Sequence, residues 1–477
     1  MLDTTRFYID GRWVTPLGTE QLGVFNPATE EEVARIVLGS AGDVDRAARA
    51  ARKAFAAYAE TSREERLGYL HRIVDGFRRR LPELSHMMTQ EMGAPITFST
   101  QRQATVALFH FEEAIRVLEK FEFEWAEGVG SIRREPIGVC GMITPWNWPL
   151  NQMASKVAPA LATGCTIVLK PSEVAPLSAM MLAQVIDEAG VPPGVFNLVN
   201  GAGVPVGEAI ASHPEIDMVS FTGSTHAGIR VAQLAAETVK RVAQELGGKS
   251  ANIILDDVEM SKAVAEGLRA CYTNAGQNCQ SPTRMLVPAA AREAVIAAAR
   301  SAAAAIRVGD PMDPETELGP LVSRQQFDKV QSLIQSGIDE GATLVAGGVG
   351  RPAEFNRGFF VRPTVFADVE PGMRIAREEI FGPVLSIMSY ETEDEAVEIA
   401  NNTPFGLAGF VQSSDPARAR RIANRLRAGR VYYNGAPFDR ALPFGGYKQS
   451  GNGREFGRFG FEDYLEVKAL LGFPAVQ

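Results

Sequence analysis

Short apolar runs alternate with amphipathic stretches from about residue 137 to residue 238. The runs are nearly continuous in Val, Ile and Leu, which is typical of strands that are buried on both faces. Between them, apolar residues recur every three or four positions, as in helices that pack on a sheet. The pattern predicts a parallel sheet with helices on both faces, and such sheets bind ligands at the carboxyl ends of their strands. The predicted strands are 139–144, 165–170, 195–199 and 217–221, and the predicted helices are 149–163, 176–189, 204–212 and 226–238.

A second alternating region extends from about residue 251 to residue 433. Its periodicity again predicts strands that alternate with helices. The Gly-rich stretch 445–460 then precedes a strand-like tail at 464–471. The predicted strands of this region are 251–255, 342–346, 384–389, 407–411 and 430–433, and the predicted helices are 263–272, 290–306, 324–340, 394–402 and 415–428.

The first 136 residues follow a different pattern. Apolar segments on both sides of an Asp-Gly pair predict a β-hairpin of 7–9 with 12–14. Alternation at 121–125 and 130–135 predicts a two-stranded ribbon. Helical periodicity predicts helices at 43–59, with Asp43 as the N-cap, at 63–92 and at 100–120.

Composition narrows the classes of function. The chain has 477 residues and a net charge of −9, which suits two or three domains and argues against a nucleic-acid surface. No apolar run approaches the ~18–20 residues that span a bilayer, and no secretory signal is visible. The four cysteines form no Cys-x-x-Cys pair and the five histidines no His-x-x-x-His pair, so no metal site is expected. These features predict a reduced, cytoplasmic protein.

One cysteine, Cys279, stands in the stretch Gly-Gln-Asn-Cys-Gln-Ser, just after a predicted helix. A thiol flanked by small and amide residues suits a nucleophile, because the thiolate attacks carbonyl carbon once its pKa is lowered. A buried structural cysteine fits the same stretch, since free cysteine packs as a small hydrophobe. The other motifs of the chain decide between these interpretations.

Two further motifs present one polar side chain each. Glu245 opens the stretch Glu-Leu-Gly-Gly-Lys-Ser, which is no P-loop because Ala243 replaces the required glycine. Glycines and apolar strands around Glu245 would desolvate its carboxylate and raise its pKa, which suits a general base. Asn147 lies in Thr-Pro-Trp-Asn-Trp-Pro, whose prolines and tryptophans would hold its amide rigidly, as an oxyanion donor must be held. A rigid aromatic turn without a catalytic role fits this second motif equally well.

Two motifs at predicted strand ends suit a nucleotide. In Phe-Thr-Gly-Ser-Thr-His-Ala-Gly, Gly223 permits a tight turn and Ser224 or Thr225 can cap the next helix, which offers N–H groups to a pyrophosphate. Lys170 and Glu173 follow another strand, where a lysine and a carboxylate can hold ribose hydroxyls. An ordinary strand-to-helix turn and a solvated turn are the simpler interpretations of the two motifs.

Together these motifs resemble those of the NAD(P)-dependent aldehyde dehydrogenase superfamily. The matching segments are TPWNWP (144–149), LKPSE (169–173), FTGSTHAG (221–228), ELGGKS (245–250), GQNCQ (276–280), EEIFGPV (378–384) and PFGGYKQSG (443–451). They occur in the family's order over nearly the whole chain. The resemblance implies an α/β fold with a Rossmann-like parallel-sheet cofactor domain, a second α/β catalytic domain and a small β oligomerisation element. The implied bounds are 1–118 with 137–247, then 248–458, and finally 119–136 with 459–477.

The resemblance also implies oxidation of an aldehyde to a carboxylic acid with NAD, or alternatively NADP, as the acceptor. Cys279 would form a thiohemiacetal and then a thioester, and Asn147 with the Cys279 N–H would form the oxyanion hole. Glu245 would activate the water that hydrolyses the thioester. Glu173 disfavours the 2′-phosphate of NADP through like charge. The cofactor residues that the resemblance implies are Trp146, Lys170, Glu173, Gly223, Ser224, Glu379 and Phe381.

The resemblance implies a substrate entrance at Trp148, Gln152, Ser155, Asn278, Gln280, Phe438 and Phe444. Many relatives carry an aromatic residue where Ser155 stands, so a wider or more polar tunnel is expected there. Phe438, Phe444 and Trp148 suit an aromatic or long apolar aldehyde. Arg440 could meet a substrate carboxylate, although a surface arginine is the simpler interpretation. The expected partners are a small aldehyde and further copies of the chain, as a homodimer or homotetramer, with neither nucleic acid nor membrane.

Three other functions stay open from the sequence. A CoA-acylating semialdehyde dehydrogenase releases the acyl group to a thiol, and such enzymes usually lack the carboxylate at Glu245. A cysteine hydrolase needs a histidine base, and the nearest in sequence, His226, lies in the turn assigned to phosphate. A catalytically silent homologue is the third, and the presence of Cys279, Glu245 and Asn147 argues against it.

Overall fold

The computed structural model describes residues 3–473 and consists mainly of strands that alternate with helices. The strands are β1 (Phe7–Ile9), β2 (Arg12–Val14), β3 (Gln21–Phe25), β4 (Glu32–Val37), β5 (Glu124–Glu127), β6 (Gly130–Pro136), β7 (Val139–Ile143), β8 (Thr166–Lys170), β9 (Phe196–Leu198), β10 (Met218–Thr222), β11 (Arg241–Glu245), β12 (Ala251–Ile254), β13 (Arg284–Pro288), β14 (Thr343–Ala346), β15 (Thr364–Ala367), β16 (Val384–Tyr390), β17 (Ala408–Gln412), β18 (Arg430–Tyr433) and β19 (Leu465–Leu471). The helices are α1 (Ala41–Tyr58), α2 (Arg63–Met92), α3 (Ile96–Phe98), α4 (Ala104–Leu118), α5 (Pro149–Thr163), α6 (Leu177–Glu188), α7 (Glu208–Ser212), α8 (Thr225–Ala236), α9 (Met260–Tyr272), α10 (Arg292–Ala304), α11 (Arg324–Asp339), α12 (Arg374–Arg377), α13 (Glu393–Asn401), α14 (Pro416–Ala423) and α15 (Gly457–Glu462).

The first large sheet has the strand order β11-β10-β7-β8-β9-β1-β2. Strands β11 to β9 in this order run parallel, and the predicted β1–β2 hairpin extends the far edge antiparallel to them. Side chains of one strand alternate between two cores: Cys140 and Met142 face one, and Val139 and Ile143 the other. Both faces are therefore buried, which explains the nearly continuous apolar runs.

The second large sheet has the order β14-β15-β16-β13-β12-β17-β18 and is parallel except for β14. It has its own apolar core, to which α9, α10 and α11 contribute. The chain passes from the first sheet to the second between the end of β11 at Glu245 and the start of β12 at Ala251. The last residue of β11 therefore lies at the junction of the two sheets.

A third sheet, with the order β19-β6-β5, stands apart from these two. Its long antiparallel pair joins Leu465 to Pro136 at one end and Leu471 to Gly130 at the other. The sheet leaves apolar side chains in solvent, and Val129 in its turn is 86% exposed. Strands β3 and β4 form a separate antiparallel pair. None of the helices within residues 3–473 is both long and apolar enough to cross a membrane.

The structure corrects several predicted elements. Ser40, not Asp43, is the N-cap of α1; the Asp43 carboxylate sits at the third helical position and accepts from the Ser40 N–H at 3.0 Å. The helix predicted at 100–120 is interrupted by a π-helical turn at Ser99–Gln103, and the one predicted at 204–212 begins as another at Gly203–Gly207. The helix predicted at 415–428 ends at Ala423. Five strands were not predicted, namely β3, β4, β11, β13 and β15.

The α/β fold class, with its Rossmann-like parallel sheet, is confirmed by the sheet order and by the solved structures described below. Residues 1–2 and 474–477, which belong to the predicted cofactor domain and oligomerisation element, lie outside the described residues.

Candidate active site

Three polar side chains project from the ends of different elements near the junction of the two large sheets. Asn147 lies between β7 and α5, at the carboxyl edge of the first sheet, and Glu245 is the last residue of β11. Cys279 lies between α9 and β13 in the second half of the chain. The Asn147 Nδ2 atom donates to the carbonyl oxygen of Gln277, at 3.1 Å, two residues before the cysteine. The fold thus brings Asn147 to the backbone that carries Cys279.

The Cys279 thiol is half-buried and packs with Leu407, Phe444 and Phe456. Desolvation raises the pKa of this thiol, and the nearby carboxylates of Glu379 and Glu245 raise it further. A raised pKa keeps the sulfur protonated at neutral pH. The thiol therefore needs a neighbouring base before it can attack a carbonyl carbon.

Glu245 has the properties of such a base. Its side chain is 4% exposed, and neither carboxylate oxygen has a hydrogen-bond partner within residues 3–473. Burial raises its pKa well above the usual value, and the Glu455 carboxylate adds to this, as the sequence led us to expect. A Cβ atom at Gly445 would stand 2.8 Å from Oε1, so the absence of a side chain there leaves room beside the carboxylate.

Asn147 is 3% exposed, and both its backbone and its side chain are held by hydrogen bonds. Its backbone carbonyl oxygen accepts from Asn274 Nδ2 at 2.8 Å and from Gln103 Nε2 at 3.2 Å. The bond from Asn147 Nδ2 to the Gln277 carbonyl uses one amide hydrogen and leaves the other for a ligand. This geometry is what an oxyanion donor requires.

An aromatic cavity of about 550 Å³ opens beside Cys279. Tyr432 Oη donates to Gln280 Oε1 at 3.0 Å on its wall. The wall includes Phe98, Phe109, Phe410, Tyr432 and Phe456 and, of the residues predicted at the entrance, Trp148, Gln152, Asn278, Gln280, Phe438 and Phe444. These residues, brought together from both halves of the chain, give the cavity a wall rich in aromatic rings, with a few amide and charged groups.

Two predicted placements differ in the structure. Within the described residues, Ser155 does not line this cavity. It lines two small spaces, one of which it shares with Phe456, and it donates to the Gln152 backbone carbonyl oxygen at 3.2 Å. Arg440 is not a plain surface residue, because it lines the cavity with its guanidinium carbon 3.6 Å from the centre of the Phe109 ring.

The predicted nucleotide residues gather at the carboxyl edge of the first sheet. Lys170 Nζ donates to Glu173 Oε2 at 3.1 Å, which fixes the carboxylate at the end of β8. Ser224 caps α8 and accepts from the Ala227 N–H at 3.2 Å, and the Gly223 N–H donates to the Glu245 carbonyl oxygen at 3.1 Å. The capping role predicted for Ser224 is confirmed.

The nicotinamide-side residues predicted from the resemblance lie nearer the junction of the sheets. Glu379 Oε1 accepts from the Gly248 N–H at 3.0 Å. The Phe381 ring packs edge-on against Trp146, with 5.4 Å between ring centres. Phe381 has a positive φ of 61°, and Gln326 Nε2 donates to its carbonyl oxygen at 2.7 Å. The two groups of residues therefore span the crevice between β8 and the junction.

Buried polar atoms without partners mark the same edge. Within the described chain, Thr144 Oγ1, Thr222 Oγ1 and both polar atoms of the Asn200 amide have no hydrogen-bond partner. They stand at or just after the carboxyl ends of β7, β10 and β9. Buried polar groups normally find partners, so three unpaired ones along one edge fit a polar ligand of dinucleotide type.

The profile of the aldehyde dehydrogenase family matches residues 13–470. The chain belongs to the aldehyde dehydrogenase family. It is 54% identical, over 99% of both chains, to a 3-succinoylsemialdehyde-pyridine dehydrogenase of a Pseudomonas species. The predicted family and class of enzyme are thereby confirmed.

Solved structures show the same similarity. A mutant of aldehyde dehydrogenase C from Pseudomonas syringae, in complex with NAD⁺ and octanal, is 53% identical with a TM-score of 0.98, over 99% of this chain and 98% of that one. An aldehyde dehydrogenase from Bartonella henselae is 48% identical with a TM-score of 0.97, over 98% of this chain and 99% of that one.

Sequence reasoning missed part of the surroundings of Glu245 in this aldehyde dehydrogenase. The Lys156 ammonium is fully buried and pairs with the Glu455 carboxylate, and both line a small space with Glu245. The lysine lies among apolar residues in the second half of α5, and this was a visible signal because a buried lysine requires a partner. The partner lies 299 residues away, and no local pattern connects the two.

Proposed function

We propose that this protein oxidises an aldehyde to a carboxylic acid through a thiohemiacetal and a thioester on Cys279, with NAD as the hydride acceptor. The observation that carries the proposal is the surroundings of Cys279 on the wall of the aromatic cavity. The Asn147 amide bonds to the backbone two residues before this cysteine, and the Glu245 carboxylate is near enough to raise the pKa of its thiol. The unpaired polar atoms at the sheet edge support a dinucleotide site, and a relative with a TM-score of 0.98 is solved with NAD⁺.

In the first step Glu245 accepts the thiol proton of Cys279, and the sulfur bonds to the aldehyde carbon. The free amide hydrogen of Asn147 and the backbone N–H of Cys279 donate to the oxygen, which becomes negative as the carbon turns tetrahedral. The Asn147 amide is already fixed by its bond to the Gln277 carbonyl, so little reorganisation is needed. A bound NAD would supply the hydride acceptor, and loss of hydride would leave the carbon as a thioester on Cys279.

Glu245 acts again in the second step, once the proton that it took from the thiol has passed to solvent. Its unpaired carboxylate oxygens can then accept a proton from a water molecule, whose oxygen adds to the thioester carbon. The sulfur of Cys279 leaves with the bonding electrons and takes that proton from Glu245, and the carboxylic acid is released. Because burial raises the pKa of Glu245, its anion is a stronger base than an exposed glutamate.

We infer that NAD is preferred over NADP. Glu173 is held by Lys170 at the end of β8, where a ribose 2′-hydroxyl could donate to its carboxylate. A 2′-phosphate at this place would meet a like charge. The residues that would hold the cofactor are Trp146, Lys170, Glu173, Gly223, Ser224, Glu379 and Phe381.

The proposed substrate is an aromatic or long apolar aldehyde. Trp148, Phe438 and Phe444 on the cavity wall favour apolar groups. The names of two relatives support this class of substrate. One is called a dehydrogenase of a pyridine semialdehyde, and another is solved in complex with octanal. Arg440, stacked on Phe109, could add a hydrogen bond to a carbonyl group at the far end of the substrate.

We propose that β5, β6 and β19 form an oligomerisation element that builds a homodimer or homotetramer. Their sheet leaves apolar residues in solvent, among them Leu471 at 74% exposure. The proposed domain bounds place 119–136 and 459–477 in this element, 1–118 with 137–247 in the cofactor domain, and 248–458 in the catalytic domain. Four free cysteines suit a reducing compartment, so we also propose a cytoplasmic location.

Initial rates of NADH or NADPH formation, measured by absorbance, test the proposal. The panel holds aromatic, aliphatic and carboxylated aldehydes, each with NAD and with NADP. We expect the highest kcat/KM for aromatic or long aliphatic aldehydes with NAD. Reduction that requires added CoA would favour the CoA-acylating alternative, and no reduction with any aldehyde would favour a silent homologue.

A further inference from the structure

Four buried amide side chains, hereafter the amide network, link the backbone beside Cys279 to Asn147. Asn274 donates through Nδ2 to the backbone carbonyl oxygens of Asn147 and Gln277, at 2.8 and 3.2 Å. Gln103 donates through Nε2 to the backbone carbonyl oxygen of Asn147 and to the side-chain oxygen Oδ1 of Asn274, both at 3.2 Å. Asn274 is therefore bonded to the oxyanion donor on one side and to the nucleophile loop on the other.

Burial makes these bonds decisive for the local conformation. All four members, Gln103, Asn147, Asn274 and Gln277, are buried. A buried amide that loses its partner costs about 1–3 kcal/mol, so the network favours one arrangement over its alternatives. Gln277 anchors the far end, because its Oε1 accepts from the Val322 N–H at 2.9 Å.

The backbone of the nucleophile loop needs this support. Asn274, Ala275 and Gly276 have φ values of 58°, 55° and 72°, all in the left-handed region. Alanine is disfavoured there by roughly 1–2 kcal/mol, whereas asparagine tolerates it better. A Cβ at Gly276 would collide with the Gly382 carbonyl oxygen. Intrinsic preference alone therefore does not hold the turn that leads to Cys279.

We propose that Asn274 and Gln103 are positioning residues that fix the separation between the Asn147 amide and the Cys279 sulfur. The inference rests on the proposed oxidation and deepens it. In the described chain neither residue is on the cavity wall, so neither would touch the aldehyde. Loss of the Asn274 amide would remove one hydrogen bond from each of the backbone carbonyl groups of Asn147 and Gln277. Rates depend steeply on such separations, about 10²-fold for 1 Å.

The first test is Asn274→Asp, which keeps the size and the left-handed tolerance of the side chain and removes both donated hydrogen bonds. We expect kcat to fall by about 10–100-fold, while KM for the aldehyde and the affinity for NAD change by less than about threefold. A loss confined to KM, or an unchanged kcat, would overturn the proposal.

Asn401→Asp is the matched control. The Asn401 amide also ties two loop segments together, since it donates to the Arg425 carbonyl oxygen at 3.0 Å and accepts from the Arg427 N–H at 2.8 Å. It does not belong to the amide network. We expect its kcat to stay within about twofold of the wild type. An equal loss in the control would mean that any broken amide bridge slows the enzyme, and would overturn the specific role.

A double-mutant cycle separates positioning from general stability. If Asn274 acts through Asn147, Asn274→Asp should cost less than about threefold once Asn147→Ala is present. If the losses of kcat in the two single variants multiply in the double variant, the proposal is contradicted.

Gln103→Met keeps the length of the side chain and should lower kcat by about 3–10-fold, with a smaller loss once Asn147→Ala is present. This variant provides the test if Asn274→Asp does not fold.

Failure of the inference can be told from failure of the proposed function. A wild-type protein that forms no NADH, or an Asn147→Ala variant with normal turnover, would contradict the oxidation itself. Normal wild-type turnover with a strong Asn147→Ala loss and an unchanged Asn274→Asp rate would overturn only the positioning role.

Discussion

The two sides of the candidate active site are built differently. On the side of Asn147, the members of the amide network bond to one another and to the backbone around Cys279. On the other side, both carboxylate oxygens of Glu245 are buried without a partner in residues 3–473. Hydrogen bonds fix a buried polar group in one position. A buried group without partners is instead stabilised when it binds a proton or a water molecule. One side is therefore suited to hold an oxyanion, and the other to move protons.

The sulfur between the two sides gives the largest expected effect. Cys279→Ala should abolish aldehyde oxidation, because the thiohemiacetal and the thioester both need this sulfur. NAD affinity, measured by fluorescence titration, should stay nearly unchanged. Cys271→Ala is the matched control, since Cys271 is a buried cysteine in the core of the second sheet. Retained turnover in Cys279→Ala would remove the nucleophile assignment.

The proton-moving side is tested by Glu245→Gln, which keeps the shape and removes the base. We expect a burst of NADH and then a stall, with deacylation slowed by about 10²–10⁴-fold. Rapid mixing with absorbance detection measures both phases. Glu64→Gln, at an exposed carboxylate in the first turn of α2, is the control and should show a normal steady state. A steady state unaltered by Glu245→Gln would refute the base assignment.

The fixed side is tested by Asn147→Ala, which removes one donor to the oxyanion. We expect kcat to fall by about 10²–10³-fold. The loss should appear in the burst phase as well as in the steady state, unlike that of Glu245→Gln. A change of less than about threefold would count against the oxyanion role.

The pH dependence gives the smallest expected effect. Because burial and Glu455 raise the pKa of Glu245, the deacylation rate should climb by about tenfold per pH unit below that raised pKa and then level off. This rise of the rate with pH should be absent in Glu245→Gln. A rise with its midpoint near pH 4.3, the ordinary pKa of glutamate, would contradict the raised pKa of Glu245. The folded state also binds the extra proton, so stability should fall as pH rises between the ordinary and the raised pKa.

Much of the fold was predictable because its strongest signals are local. Helix α5 was predicted at both ends, since Pro149 suits the first turn and Gly164 takes a left-handed φ of 97° after the last. Strand β11 was missed because Arg241–Glu245 is largely polar and only half-buried at the sheet edge. Because apolar and polar residues do not alternate regularly along β11, the sequence pattern did not predict the strand that carries Glu245, the candidate base.

The candidate site was predictable only as far as its motifs reach. The motifs gave Cys279, Asn147 and Glu245 as candidates, and the structure groups them, while their roles stay predictions. Ser155, which the resemblance places at the entrance, lines a small neighbouring space, and Phe456 from the end of the chain contributes to both that space and the cavity. Contacts between distant segments of this kind leave no periodicity in the sequence.

The ion pair of Lys156 with Glu455 has a consequence for how the protein is made. Helix α5 leaves the ribosome 299 residues ahead of its acidic counterpart. Until that counterpart arrives, an unpaired ammonium opposes closure of the surrounding core, because an uncompensated buried charge is costly. The first sheet can therefore reach its final packing only when synthesis is almost finished, and nascent chains that stop before Glu455 should be poorly packed and open to proteolysis.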